Sequence, residues 1–403
     1  MGKNKNMVDI NKNKILKYFL FSSLYFSEGL QWSIAIVIIP LYLTQQGISP
    51  GITTITAGIV SSPMILKFVF GGIADHYGRF GRKYFVLLGG FSASACLFIV
   101  GFIDPDTALI PFAVILFIAH CGIGFVDVSA DAWAIETTTV KERGKINGVM
   151  FSGLFIGTGV GSFLFTQIGS NYGYNTVFFA AGLLISLILL YPLIFKEIIK
   201  FKKSPKVAHL VISDFKRKIV QLVALFGPIS SISGGLMVIA IPLYTKNILE
   251  LSDIQIGLIS LIFMIANIFG ALIGGTLADR WGRKHVLYIT LIGSMIFTAL
   301  LAFSNTWQIL AVTYTITGFL FGGLFSASCA LMMDITNPRI AATQFAVLTA
   351  LFNLGEIAIG NTLAGTIIET VGYTRLFLYA GLIHGFALII VYLMKINNPS
   401  KNH

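Results

Sequence analysis

Apolar runs of eighteen or more residues recur along the whole chain. Each is long enough, at about 1.5 Å per helical residue, to cross a hydrocarbon core about 30 Å thick. Twelve are expected, at roughly 18–43, 52–75, 83–103, 108–135, 147–169, 177–195, 219–245, 254–278, 284–303, 308–335, 342–368 and 375–394. Composition agrees with lipid as the solvent. Of the residues, 56% are hydrophobic and 11% charged, against roughly 25% charged in soluble domains. The first run follows a Lys/Asn-rich tail with no small-residue cleavage site, so it reads as a retained helix and not a signal peptide.

The chain also repeats itself. Gly71-Gly72-Ile73-Ala74-Asp75-His76-Tyr77-Gly78-Arg79-Phe80-Gly81-Arg82-Lys83 is matched by Gly274-Gly275-Thr276-Leu277-Ala278-Asp279-Arg280-Trp281-Gly282-Arg283-Lys284. Each is a basic, glycine-punctuated hairpin between two apolar runs, preceded by Ile-Pro-Leu-Tyr at 39–42 and 241–244. Further on, Gly124 and Glu136 pair with Gly322 and Asp334, while Arg143, Asn147 and Gly159 pair with Arg339, Thr343 and Gly355. The pattern predicts a duplicated all-α membrane protein. Its parts are a tail (1–17), a six-helix bundle (18–195), a basic linker (196–218), a second six-helix bundle (219–395) and a short tail (396–403).

Charge placement orients the spans. With the N-terminus in the cytoplasm, twenty-five Lys and Arg fall on cytoplasmic segments. Only Lys246 and Arg375 fall on the other side, and Lys67 lies within a span. That bias puts both termini and both hairpins in the cytoplasm of a cell (plasma) membrane protein. The net charge of +11 is therefore accounted for by topology and anionic lipid, and no nucleic-acid partner is expected. Cys96, Cys121 and Cys329 lie inside different spans, so neither a disulfide framework nor a metal site is expected.

Twelve helices in two pseudo-symmetric six-helix bundles, with these hairpins after the second helix of each, resemble the major facilitator superfamily. In that superfamily such charges latch the two halves together at the cytoplasmic side. The resemblance makes Asp75, Arg79, Arg82, Asp279 and Arg283 of the hairpins gate candidates, with Glu136, Arg143, Asp334 and Arg339 at the ends of the fourth spans as partners. The alternative for the basic residues, Lys83 and Lys284 included, is anchoring at the headgroups. Gly153-xxx-Gly157-xxx-Gly161 in the fifth span reads as close helix packing.

Embedded charges are costly, about 2.5–3.5 kcal/mol for a central Asp or Lys, and normally face a bundle interior or a wet cavity. Glu28, Lys67, Asp127, Asp131 and Glu356 qualify. His120, Gly124, Asp127 and Asp131 share one helical stripe. Lys67 lies eight residues from Asp75 and Asp127 nine from Glu136, about equal depths, so Lys67 is expected to pair with Asp127 or Asp131. Glu28 and Glu356, one in each half, can load and release a proton as solvent access alternates, with Asp127, Asp131 and His120 as rival carriers. His120 and His384 stand on apolar helices, where packing is the alternative role. Asn353, a turn before Glu356, is a candidate hydrogen-bonder to substrate, and Tyr25 and Trp32 are candidate stacking partners.

Pro63-Met64-Ile65-Leu66-Lys67-Phe68 with Asp75 beyond it, Asp127-Val128-Ser129-Ala130-Asp131-Ala132-Trp133 followed by Glu136 and Glu142-Arg143-Gly144, and Phe26-Ser27-Glu28-Gly29-Leu30 carry a narrower likeness. They resemble the AmpG-type muropeptide permeases and related acetyl-CoA transporters. Glu28 stands where that family has a small residue, and Gln31 where it has proline. The resemblance implies proton-driven import of an amphipathic, amino-sugar or peptide-like solute by a secondary transporter, with Lys67, Asp127 and Asp131 at family-type positions. A polyspecific efflux antiporter is the alternative, and a sensor or scramblase a more distant one. No phosphate-cradling loop, nucleophile elbow or zinc motif occurs, so neither an enzyme nor a cofactor is expected. The expected partners are the bilayer, a small-molecule substrate and protons, and a single chain suffices for the fold.

Overall fold

The computed structural model describes residues 8–10, 13–138, 143–197, 212–337 and 340–395. Among these, eleven helices are long and apolar enough to cross a membrane. The last of them, Thr343–Leu393, runs for 51 residues and is broken at Gly372, whose φ of 81° and ψ of 168° no helix contains. Its two arms correspond to the eleventh and twelfth apolar runs of the sequence.

The chain forms two compact units, residues 1–38 with 60–205, and residues 39–59 with 206–403. In the first unit, α1 (Lys14–Ser33) continues into a π-helical stretch, Ile34–Ile38. A 3₁₀ turn at Ser62–Leu66, carrying Pro63, leads into α4 (Lys67–His76). Then come α5 (Arg82–Val100), α6 (Pro105–Thr137), α7 (Arg143–Tyr172) and α8 (Tyr174–Leu190). Glycine sets the closest approaches. A methyl group at Gly153 would overlap the Ser22 carbonyl, and one at Gly157 the Phe26 carbonyl, so α7 lies backbone-to-backbone on α1. Gly89 of α5 and Gly122 of α6 meet the same way. One contact has no sequence signal: Val8–Asp9 pairs in parallel with Phe195–Lys196.

In the second unit, α2 (Ile39–Gln45) and α3 (Pro50–Ser61) pack with the C-terminal helices. Glu369 Oε1 accepts a hydrogen bond from Gly51 N at 2.7 Å, and Thr54 Oγ1 accepts one from Gly365 N at 3.0 Å. The remaining helices are α9 (Lys218–Asn247), α10 (Asp253–Trp281), α11 (Arg283–Leu300), α12 (Trp307–Ile335), α13 (Ala341–Asn353) and α14 (Thr362–Leu393). A second π-helical stretch, Leu354–Asn361, joins the last two. The compact units thus divide the chain differently from the 18–195 and 219–395 halves read from sequence, because 39–59 goes with the second. Large apolar side chains such as Ile110, Leu272 and Phe386 are exposed, which suits a surface solvated by lipid.

Candidate functional site

Three helices of the first unit bring their polar residues to one place. From α1 come Tyr25, Glu28, Gln31 and Trp32, which the helical period sets on adjoining turns. The 3₁₀ turn ends as Lys67 begins α4. From α6 come His120, Asp127 and Asp131 on their single stripe. Lys67 Nζ lies 2.7 Å from Asp127 Oδ2 and 3.8 Å from Glu28 Oε1. Asp131 takes a different partner, accepting a hydrogen bond from Tyr25 Oη at 2.5 Å. Trp32 Nε1 donates to Glu28 Oε1 at 3.4 Å, and Gln31 Nε2 lies 3.1 Å from His120 Nδ1.

Depth is graded across the cluster. Asp131 is exposed on the unit's surface and Lys67 is 27% exposed. Asp127 and Glu28 are 3% and 2% exposed, and Gln31 and His120 are fully buried. Of the two partners open to Lys67, the structure selects Asp127. Tyr25 serves as a hydrogen-bond donor to an acid. Gln31 stands out in the sequence only as a departure from the family's proline and not as a site residue, although a glutamine one turn after Glu28 in an apolar helix is itself an unusual polar signal.

The other embedded candidates lie in the second unit. Asn353 ends α13, and Glu356 is half-buried in the π-helical stretch. The backbone there comes close to α9, where a methyl at Gly235 would overlap the Glu356 carbonyl. Asn361, with its amide turned to satisfy both partners, donates to Glu356 O at 3.2 Å and Gly235 O at 2.9 Å. Such π-helical insertions concentrate at functional positions. His384 is fully buried beside Phe321, with ring centroids 5.5 Å apart.

The hairpin charges pair within their own units. Arg82 Nε lies 3.1 Å from Glu136 Oε1, and Arg283 Nε lies 3.0 Å from Asp334 Oδ2. Arg283 also pairs with Asp279 four residues before it. Arg79 places its guanidinium 4.9 Å from the centre of the Phe80 ring. Arg339 and the side chains of Asp75 and Arg143 lie outside the described residues, as do the C-terminal tail 396–403 and most of the 196–218 linker. Glu197, which sequence reasoning assigned only to the linker, accepts hydrogen bonds from Arg82 N at 2.5 Å and Lys83 N at 3.1 Å, capping α5. Among the described residues, no group of three or more His, Cys, Asp or Glu is arranged to hold a metal ion. Two surface grooves, about 420 Å³ beside Tyr84 and Phe91 and about 340 Å³ beside Phe269 and Phe319, are apolar and hold none of the candidate residues.

Helical bundles with embedded charges suit several membrane functions, and comparison with known proteins decides among them. The Major Facilitator Superfamily profile matches residues 21–229 and 222–403, nearly the whole chain. The chain belongs to the Major Facilitator Superfamily. Within it, the protein is 26% identical to "Putative transporter AmpG 2" of Rickettsia prowazekii over 85% of this chain and 87% of that one. It is 25% identical to the "Anhydromuropeptide permease" of Escherichia coli K12 over 83% of this chain and 71% of the other. A shorter match, 28% identical over 42% of each chain, is to "Quinolone resistance protein NorA" of Staphylococcus aureus. Among solved structures, a D-xylose–proton symporter superposes with a TM-score of 0.73 at 15% identity, covering 94% of this chain and 98% of that one. This superfamily member is thus a multi-pass membrane transporter.

Proposed function

We propose that this superfamily member is a proton-coupled symporter, importing a small amphipathic solute of amino-sugar or peptide-like chemistry by alternating access. The Gly372 break supports counting Thr343–Leu393 as two crossings, giving twelve helices in two pseudo-symmetric bundles. The basic ends then face the cytoplasm of the plasma membrane, with both termini inside and a single chain as the working unit.

The observation that carries this reading is the Lys67–Asp127–Glu28 cluster with Asp131 at its rim. Three carboxylates share one ammonium inside a bundle. Water stabilises all four charges when it enters, whereas low dielectric penalises the excess negative charge. A proton taken up with substrate and released on the other side answers that change. The AmpG-type relatives supply the solute class. The Arg82–Glu136 and Arg283–Asp334 pairs are read as parts of the cytoplasmic gate, together with Asp75, Arg79, Arg143, Asp279 and Arg339. Glu356 and Asn353 are read as the second unit's contribution to the transport path. The match to a quinolone resistance protein supports a second reading, a polyspecific drug or metabolite efflux antiporter on the same fold.

The test is uptake of a labelled anhydromuropeptide into proteoliposomes with and without an inward proton gradient, beside Asp127→Asn protein. Gradient-dependent uptake lost in the variant supports the proposal. Uptake indifferent to the gradient removes proton coupling, and no uptake by folded protein removes the solute class.

A further inference from the structure

The buried end of the first unit's cluster holds hydrogen-bonding capacity that the protein does not use. Glu28 Oε2, Gln31 Oε1 and His120 Nε2 are all shielded from solvent and have no partner among the described residues. Buried polar atoms are nearly always paired, so three orphans on neighbouring side chains point to something that answers them.

Their chemistry follows from the His120 tautomer. Nδ1 lies 3.1 Å from Gln31 Nε2 and 3.2 Å from Leu116 O. One nitrogen cannot accept from the amide and donate to the carbonyl at once. If Nδ1 accepts from Gln31, then Gln31 Oε1 is a free acceptor and His120 Nε2–H a free donor. If Nδ1–H donates to Leu116 O, the Gln31 amide turns its oxygen toward the ring. Its NH₂ is then the free donor and His120 Nε2 the free acceptor. Both arrangements leave one acceptor and one donor, one helical turn from the second free acceptor, Glu28 Oε2.

Charge compensation is uneven as well. Asp127 has Lys67 at 2.7 Å and Asp131 has the Tyr25 hydroxyl at 2.5 Å. Glu28 has only the indole N–H of Trp32 at 3.4 Å and the ammonium of Lys67 at 3.8 Å, both on Oε1. It is the least compensated of the three acids, and its other oxygen is bare. Trp32 touches Glu28 and also sits edge-to-face with the His120 ring at 6.4 Å, so an aromatic wall closes the same patch.

We propose that this patch receives a protonated primary amine carried by the transported solute. Glu28 Oε2 and the free acceptor of the Gln31–His120 pair take its N–H groups, and the pair's free donor meets an oxygen beside the amine. The proposal rests on the reading of this cluster as the transport site and names the solute group it recognises. A primary ammonium brings three donors to acceptors that have none, whereas a neutral hydroxyl leaves the Glu28 charge unanswered and a quaternary ammonium brings charge without N–H groups.

The experiment is binding of hexylamine, hexanol and hexyltrimethylammonium to the full chain in nanodiscs, read by tryptophan fluorescence at constant pH with no gradient. The expected result is hexylamine binding at least tenfold tighter than either analogue, with Glu28→Gln abolishing the preference. Equal binding of hexylamine and hexanol overturns the proposal, as does equal binding of the trimethyl compound. Selectivity unchanged in folded Glu28→Gln protein overturns it too. The wild-type series stands even if that variant fails to fold. Because no gradient is applied, this outcome is separate from the uptake assay: coupling can fail while amine selectivity holds, and the reverse.

Discussion

Lys83 and Lys284 make the same contact, each within its own unit. Lys83 Nζ donates to Leu193 O at 3.1 Å and Phe195 O at 2.8 Å. Lys284 Nζ donates to Tyr392 O at 3.1 Å and Met394 O at 2.7 Å. Both ammonium groups meet the end of a helix, where carbonyls lack intrahelical partners and the helix dipole is negative. The arrangement is echoed one layer away, where Lys17 Nζ donates to Thr137 O and Arg217 Nη1 to Ile335 O, each at 3.1 Å. Residues that read in the sequence as topology signals also hold helix ends together.

Replacing either lysine by alanine is therefore expected to lower stability by about 1 kcal/mol. The fall should appear in the thermal unfolding midpoint of detergent-solubilised protein, with arginine restoring most of it. Unchanged midpoints in both alanine variants would show that the contacts contribute nothing to folding.

Lys67 and Asp127 should be strongly non-additive. Lys67→Ala leaves a buried carboxylate uncompensated, and breaking such a pair costs about 3–5 kcal/mol. Removing Asp127 as well relieves most of that cost, so the double variant should be more stable than Lys67→Ala alone. A double-mutant cycle by thermal unfolding checks this, and simple additivity would refute the pairing.

Gly157→Leu should fail to assemble the first unit. Its side chain would have to occupy the space of the Phe26 backbone, and overpacking of this kind costs about 1–3 kcal/mol or more. Monodispersity after purification reads the outcome. A well-folded variant would mean that α1 and α7 can separate without penalty.

Glu197 predicts a pH dependence of stability. Burial pushes its carboxyl above the ordinary range, and the hydrogen bonds from Arg82 N and Lys83 N pull it part of the way back. A carboxyl raised in the folded state binds its proton more readily there than in the unfolded chain. Its contribution is thus full below the unfolded value and is lost as pH rises through the folded one. Glu197→Gln should flatten that part of the stability–pH curve while keeping an acceptor for the α5 cap. Glu197→Ala should cost about 1 kcal/mol through the lost cap. An identical slope in wild type and Glu197→Gln would assign the pH dependence elsewhere.

Depth was legible from the sequence where angle was not. Counting residues from the hairpins placed Lys67 level with Asp127, because every helical residue advances about 1.5 Å. The same count could not separate Asp127 from Asp131. That choice depends on the rotation of α6 against α1 and α4, where the Phe70 ring of α4 fills the space beside Gly124 of α6. Gln31 and Glu197 were missed for a related reason: their partners lie 89 and 115 residues away, beyond any local pattern.

By itself, then, the sequence determined the solvent, the all-helical membrane class and which charges are embedded, since hydrocarbon penalises exposed backbone and isolated charge wherever they occur. Tertiary structure alone decided that Lys67 turns to Asp127 and Tyr25 to Asp131, and that Glu28, Gln31 and His120 keep unanswered atoms. It also decided that residues 39–59 pack with the second unit. Those outcomes rest on how helices are rotated and shifted against one another, and shape complementarity across distant segments sets that, not the period of any one of them.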